Sequence, residues 1–155
     1  MKKTIKLIGI IAIIAIMGIS FYSCSDPEAG QLTITGLGAY NGKYLIGTGF
    51  LDTDNSKMFV AAESIDVNNK TINGVRISRG RVTLNVYELV GDEEDYFDIV
   101  PFFGSGFARF ILFACTTPTL DPNDEGLDMI GRAEVTFAGG DGTAAILPFL
   151  GIDPW

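Results

Sequence analysis

Two acidic stretches contain the residues best suited to chemistry in this chain. Asp121, Asn123 and Glu125 alternate through one stretch and a glycine follows, which is the order of the first half of an EF-hand calcium loop. Asp92 and Glu94 belong to the second stretch, the densest acidic cluster in the sequence. Hard cations such as Ca²⁺ prefer oxygen ligands of this kind. Both stretches are therefore candidate metal sites.

A simpler interpretation competes with both metal sites. The twelfth position of an EF-hand loop is normally Glu, but here it is Arg132, and Pro122 also departs from the pattern. Charged runs in loops are usually solvated, and they oppose edge-to-edge pairing of strands. A third acidic segment, 52–55, has the composition of a turn whose side chains bond their own backbone. We therefore expect solvated loops, with calcium binding as the alternative.

The composition excludes several kinds of catalysis. The 155 residues include no histidine, which removes Ser-His-Asp and Cys-His arrangements and zinc sites built on imidazole. Paired carboxylates could serve a hydrolase, but the sequence does not show which acidic residues face each other across a cleft. Gly104-Ser105-Gly106 leads into an apolar run, which indicates a turn rather than a phosphate-binding loop. We expect a protein that is not an enzyme and has no cofactor, with a carboxylate-dependent hydrolase as a minor alternative.

Cys24 ends an N-terminal segment that has the parts of a secretory signal. Three lysines give it a positive start, residues 7–19 are apolar, and the small Ser23 precedes the cysteine. The apolar run is shorter than the roughly 20 residues that span a bilayer. Ser23-Cys24 resembles the relaxed lipobox of spirochaete and Bacteroidetes lipoproteins, in which the cysteine becomes the first mature residue and carries lipid.

This resemblance implies three segments: a signal peptide at 1–23, a lipidated tether at 24–30 and a folded domain at 31–155. An ordinary secretory signal and an uncleaved anchor are the alternatives, and all three interpretations place the domain outside the cytoplasm. We expect a lipid anchor in a bacterial membrane of the cell envelope, at the outer membrane or the periplasmic face. One acyl chain anchors only marginally, whereas two or more hold firmly.

The charge of the mature chain limits its partners. Removing residues 1–23 takes away three of the 11 basic residues and none of the 19 acidic ones, which leaves a net charge of −11. Such a chain lacks the basic surface that nucleic-acid binding requires, and anionic headgroups do not attract it. The expected partners are the membrane, through the N-terminal lipid, and a protein or a glycan. Cys115 lies in an apolar run and is expected to be a buried thiol.

The mature chain has the pattern of an all-β domain. Apolar and polar residues alternate at 81–89 and at 132–137, and the second run continues through a glycine-rich turn to a hairpin ending near 147. Residues 107–115 are apolar at nearly every position, which indicates a central strand covered on both faces. Weaker strands are expected at 32–35, 43–50 and 57–62, and a short helical turn at 71–75. The prediction is one antiparallel β-sandwich, jelly-roll or Ig-like, or a barrel.

Three stretches resemble small β-rich domains of spirochaete lipoproteins. They begin at Leu32 (LTITGLGAYNGKY), Gly80 (GRVTLNVY) and Ala133 (AEVTFAGGDGTA). The resemblance implies fold and location, and no activity. We expect an interaction or structural module, with a carbohydrate- or small-ligand-binding β-sandwich as the alternative. Exposed aromatic residues would serve a sugar, and the candidates are Tyr40, Tyr44, Tyr87, Tyr96, Phe97 and Trp155.

Overall fold

The computed structural model describes residues 29–51, 54–66, 68–69, 71–90, 98–120 and 127–148. These residues are mostly β-strand, which confirms the all-β prediction, and one 3-10 turn lies at Gly38–Tyr40. The thirteen strands are β1 (Gln31–Thr35), β2 (Tyr44–Leu51), β3 (Asp54–Ala62), β4 (Ser64–Asp66), β5 (Thr71–Asn73), β6 (Val75–Arg76), β7 (Arg81–Val90), β8 (Asp98–Pro101), β9 (Gly106–Cys115), β10 (Thr119–Leu120), β11 (Leu127–Phe137), β12 (Gly142–Ala145) and β13 (Leu147–Pro148).

Ten of these strands form one large sheet. Its main path runs in the order β12, β1, β7, β3, β2, β9, β11 and β13, while β6 pairs with β2 and β8 pairs with β7. The pairs are antiparallel as predicted, with one departure: β1 and β12 are parallel. Pairing of the first and last parts of the domain brings distant segments of the chain side by side.

The last strands turn the large sheet into a nearly closed barrel. Ala138 pairs with Asp141 across the turn after β11, and Arg132 pairs with Leu147 in the same antiparallel register. Residues 142–148 therefore run back along β11, while β12 holds β1 on its other side. The hairpin predicted at 132–147 is confirmed, and it closes the barrel.

Alternating side chains fill the barrel interior, as the period of two in the sequence requires. On β7, Val82 and Leu84 are buried while Thr83 between them is exposed. On β11, Val135 and Phe137 are buried while Thr136 is exposed. The buried residues of this interior cluster are Leu32, Ile34, Leu37, Leu45, Phe59, Ala61, Ile77, Val82, Leu84, Val86, Phe102, Ala108, Phe110, Leu112, Ala114, Ile130, Ala133, Val135, Phe137 and Ala144.

A small second sheet, in the order β10, β5, β4, accompanies a second buried cluster. This cluster contains Ile72 of β5 together with Phe113 and Cys115 of β9, so β9 is covered on both faces as predicted. The helical turn expected at 71–75 is wrong, because Ile72 pairs with strands on both sides and its neighbours Thr71 and Asn73 extend the same strand. Cys115 is a buried thiol that is 3% exposed.

Candidate functional site

Most of the candidate residues from the sequence lie outside the residues that the structure describes. They are Cys24, Asp92, Glu94, Asp121, Asn123 and Glu125. Of the acidic segment at 52–55, the structure describes the backbone of Asp54 and Asn55, which begin β3. Within the described ranges, no three His, Cys, Asp or Glu side chains are grouped so that they could hold a metal ion.

The described residues that flank the two acidic stretches lie at opposite ends of the barrel. The loop at 121–126 ends at Leu127, which pairs with Cys115 at the end of β9. The stretch 91–97 follows β7. Near the end of β7, Leu89 pairs with Met58 of β3, and the next pairings across the sheet, through Phe50 of β2, lead to Arg109 of β9. Arg109 and Cys115 are six residues apart on one strand, which is about 20 Å. The attachment points therefore do not favour a single ion site shared by both loops.

Two of the tyrosines proposed for sugar binding, Tyr40 and Tyr44, pack against the buried clusters. Tyr40 is half-buried against the barrel interior, and Tyr44 is half-buried against the second cluster. The hydroxyl of Tyr87 donates a hydrogen bond to the carbonyl oxygen of Glu63 at 3.4 Å. The remaining candidates, Tyr96, Phe97 and Trp155, lie outside the described residues. The described tyrosines thus belong to three different environments rather than to one binding face.

Four aromatic rings occupy the barrel interior. The centroid of Phe102 lies 4.7 Å from that of Phe59 and 5.2 Å from that of Phe137, both in edge-to-face geometry. Phe110 meets Phe137 at 6.1 Å in the same manner. Small barrels have interiors just wide enough for side chains, and wider ones hold ligands. Here packed rings occupy the volume that a ligand would need.

The chain enters the barrel through a tight junction at Gly30. Its N–H donates to the carbonyl oxygen of Phe102 at 2.9 Å, and its own carbonyl oxygen accepts the N–H of Val86 at 2.8 Å. Strand β1 continues from here and pairs with the first half of β7, residues 81–85, while β8 pairs with the second half, residues 87–90. A Cβ on Gly30 would overlap the carbonyl oxygen of Gly140. Glycine is required at this position because three backbones meet there.

The loop after β8 packs against the β11–β12 turn beside this junction. The hydroxyl oxygen of Ser105 accepts the N–H of Gly139 at 3.0 Å, and the carbonyl oxygen of Gly104 accepts the N–H of Gly140 at 2.8 Å. Ser105, which the sequence placed in a turn, therefore ties two loops together. Asp141 contributes as well, because its carboxylate accepts the N–H of Gln31 at 3.0 Å.

Four large hydrophobic residues are exposed within the described ranges. Three of them come from three successive segments of the chain: β7, β8 and the loop after β8. Val90 is 44% exposed, Val100 is 39% exposed and Phe103 is 46% exposed. The fourth, Leu147, is 39% exposed and lies on β13. Sequence reasoning missed Phe103, because its neighbour Phe102 has the same side chain and is buried. No periodicity separates the two, since both follow the end of a strand.

Surface electrostatics in the described region are ordinary. The Nζ atom of Lys57 lies 3.0 Å from a carboxylate oxygen of Glu88, and that of Lys43 lies 3.3 Å from a carboxylate oxygen of Asp128. Ion pairs that involve an exposed lysine stabilise little. Asp66 accepts hydrogen bonds from the backbone and the side chain of Asn69, which lower the pKa of its carboxyl group. These bonds hold the turn between β4 and β5. Asp66 is thus a structural residue.

Comparison with known proteins gives no relative: no protein-family model, curated protein sequence or solved structure matches the chain significantly. In the described part of the chain, none of the residues forms a helix of the length and apolar character needed to cross a bilayer.

Proposed function

We propose that the chain is a lipid-anchored protein of the bacterial cell envelope, whose barrel is a non-enzymatic interaction or structural module. Acylation of Cys24 holds the barrel at a membrane, and the outer surface of the barrel meets the partner. The partner is a protein or a glycan, because the net charge of −11 after residue 23 disfavours nucleic acid.

The packed interior is the observation that carries the interaction part of this proposal. Phe59, Phe102, Phe110 and Phe137 form a continuous aromatic cluster where a larger barrel holds a ligand. A small molecule could enter only by displacing these rings, at a cost of several kcal/mol in lost packing. Surface recognition requires no such rearrangement.

The position of Gly30 supports the anchoring part. Gly30 is locked between Phe102 and Val86, six residues after Cys24. A short polar segment therefore separates the proposed lipid from the folded barrel. This arrangement suits a module that is displayed close to a membrane surface.

Metabolic labelling with a fatty acid tests the anchor. The unaltered chain and Cys115→Ala should both incorporate label, because Cys115 is buried in the second cluster. Cys24→Ala should lose the label and accumulate as a larger precursor. Equal labelling of Cys24→Ala and the unaltered chain would contradict acylation at this residue.

A glycan array probed with the unacylated mature chain, residues 24–155, tests the nature of the partner. Saturable binding of a defined glycan would support carbohydrate recognition by the surface. If an apolar small molecule instead binds the chain and shifts the aromatic NMR signals of the barrel interior, recognition by the outer surface is contradicted.

A further inference from the structure

We propose that Phe103 is a second membrane contact that orients the barrel against the lipid surface carrying the Cys24 anchor. This inference rests on the proposed acylation of Cys24. Its occupant is the electroneutral boundary region of a lipid bilayer.

The tether limits how far Gly30 can lie from the membrane. Six residue steps separate Cys24 from Gly30, and an extended chain spans at most about 3.6 Å per residue, so the reach is about 20 Å. The barrel is longer than that, since β11 alone has eleven residues, or about 36 Å of extended strand. Gly30 cannot lie more than about 20 Å from the anchored surface, so the side of the barrel that contains Gly30 is the side that the tether keeps nearest to the membrane.

Phe103 lies on that side. Its Cα is 3.1 Å from the Cβ position of Gly140, and the Cα of Gly30 is equally close to the same point. Phe103 is nevertheless 46% exposed, although its neighbour Phe102 is buried in the barrel. An exposed aromatic ring beside the point where the tether enters is placed to reach the headgroup region.

Leu147 provides an internal comparison. It is also exposed, at 39%, but it lies seven residues beyond Gly140 on the strand run that follows the turn. Seven residues of strand correspond to about 23 Å, so Leu147 lies well away from the point where the tether enters, whereas Phe103 lies beside it. Membrane contact is therefore expected at Phe103 and not at Leu147.

The charges determine the kind of lipid surface. Asp141 is exposed beside the junction, and the acidic stretch 91–97 follows Val90 in the chain. Anionic headgroups would repel these carboxylates, whereas a zwitterionic surface would accept the apolar ring. Phosphatidylcholine vesicles are therefore the appropriate probe.

The test uses the mature chain, residues 24–155, with one saturated acyl chain attached chemically to the Cys24 thiol. A single chain gives only marginal binding, so a second contact has a measurable effect. Because Cys115 is buried, only the Cys24 thiol should react. Mass spectrometry checks that each molecule carries one acyl chain. Partition into phosphatidylcholine vesicles is then measured by flotation for Phe103→Ser, Phe103→Leu and Leu147→Ser.

We expect Phe103→Ser to weaken partition about tenfold, since a half-exposed phenylalanine loses its apolar contact with lipid. Phe103→Leu should retain most of the binding, and Leu147→Ser should match the unaltered chain. Equal partition of Phe103→Ser and Leu147→Ser would overturn the proposal. A second measurement places tryptophan at either position in a Trp155→Phe background, where brominated lipid should quench Phe103→Trp and not Leu147→Trp. Equal quenching would also overturn it.

The chemical attachment separates this inference from the proposed function. If the anchor proposal is wrong, the chain will incorporate no fatty-acid label at Cys24 in cells, while the partition of the chemically acylated chain into vesicles will be unchanged. Loss of the orientation proposal would appear as a Phe103→Ser protein that partitions normally, while cellular labelling of Cys24 is unaffected.

Discussion

The rings of Phe59 and Phe102 meet edge to face with their centroids 4.7 Å apart. Phe59 comes from β3, whereas Phe102 comes from the loop that follows β8. The loop thus contributes a core residue, and it also ties Gly30 to the barrel through its backbone. The packing of this one ring supports both the interior and the entry of the chain.

Phe102→Ala should destabilise the domain strongly, while Phe103→Ala should not. Truncation of a buried phenylalanine costs about 3–5 kcal/mol, a large part of the roughly 5–15 kcal/mol that stabilises a typical domain. Phe103 is 46% exposed, so its truncation should change the unfolding free energy by less than about 0.5 kcal/mol. Urea denaturation measures both. Similar midpoints for the two variants would contradict the described loop.

The register of β11 predicts a second contrast between neighbours. Phe137 is 2% exposed and Thr136 is exposed on the opposite face. Phe137→Ala should lower the unfolding free energy by about 3–5 kcal/mol, whereas Thr136→Ala should have little effect. Thermal unfolding of the two proteins gives the comparison. Equal losses of stability would show that the strand faces are assigned incorrectly.

Two glycines should respond differently to one added methyl group. A Cβ on Gly49 would lie 2.5 Å from the carbonyl oxygen of Arg109 and 2.8 Å from the ring of Phe110. Overpacking of this kind typically costs about 1–3 kcal/mol. A Cβ on Gly38 would meet no atom within 4 Å, so Gly38→Ala is the matched control. We expect a clear loss of stability for Gly49→Ala alone, and its absence would mean that β2 and β9 lie farther apart than described.

Thiol chemistry should distinguish the two cysteines. Cys115 is 3% exposed, so a maleimide should modify it slowly in the native mature chain and rapidly in denaturant. Mass spectrometry of a Cys24→Ser protein isolates this reaction. Rapid modification of the native variant would contradict the burial of Cys115 in the second cluster.

Asp66 should titrate below the ordinary aspartate value of 3.8, because the hydrogen bonds from Asn69 favour its charged form. Since the folded pKa is the lower one, this stabilisation is present above the unfolded pKa and is lost as pH falls through the folded pKa. Carbon-13 shifts of the carboxyl group measure the titration directly. Asn69→Ala removes the side-chain bond and keeps the backbone bond, so the pKa of Asp66 should rise only part of the way toward 3.8, and an unchanged pKa would contradict the side-chain bond.

The sequence predicts the longest strands of this fold best. Strands β7, β9 and β11 each have at least ten residues, which is enough for the alternation of buried and exposed positions to appear. Strand β5 has three residues, too few to show any period, and the predicted helical turn there was wrong. The parallel pairing of β1 with β12 has no local signal, because it depends on closure of the whole sheet.

The candidate site could be predicted only in part, for a similar reason. Adjacent phenylalanines look alike in sequence, and the one that enters the barrel depends on where β8 ends against β7. The hydrogen bonds among Gly30, Val86 and Phe102 decide this, and they join three distant segments. The exposure of Phe103 is therefore a property of the assembled barrel.

The parallel pairing of β1 with β12 also determines when the sheet can be completed during synthesis of the chain. Leu32 pairs with Gly142, a partner that lies 110 residues later in the chain. Synthesis adds about 5–20 residues per second, so β1 waits at least about 5 s before its partner exists. Contacts between such distant segments also form slowly, because a long loop must be ordered first. A nascent chain therefore remains open until the final hairpin emerges, and any truncation before Gly142 should leave it in that state.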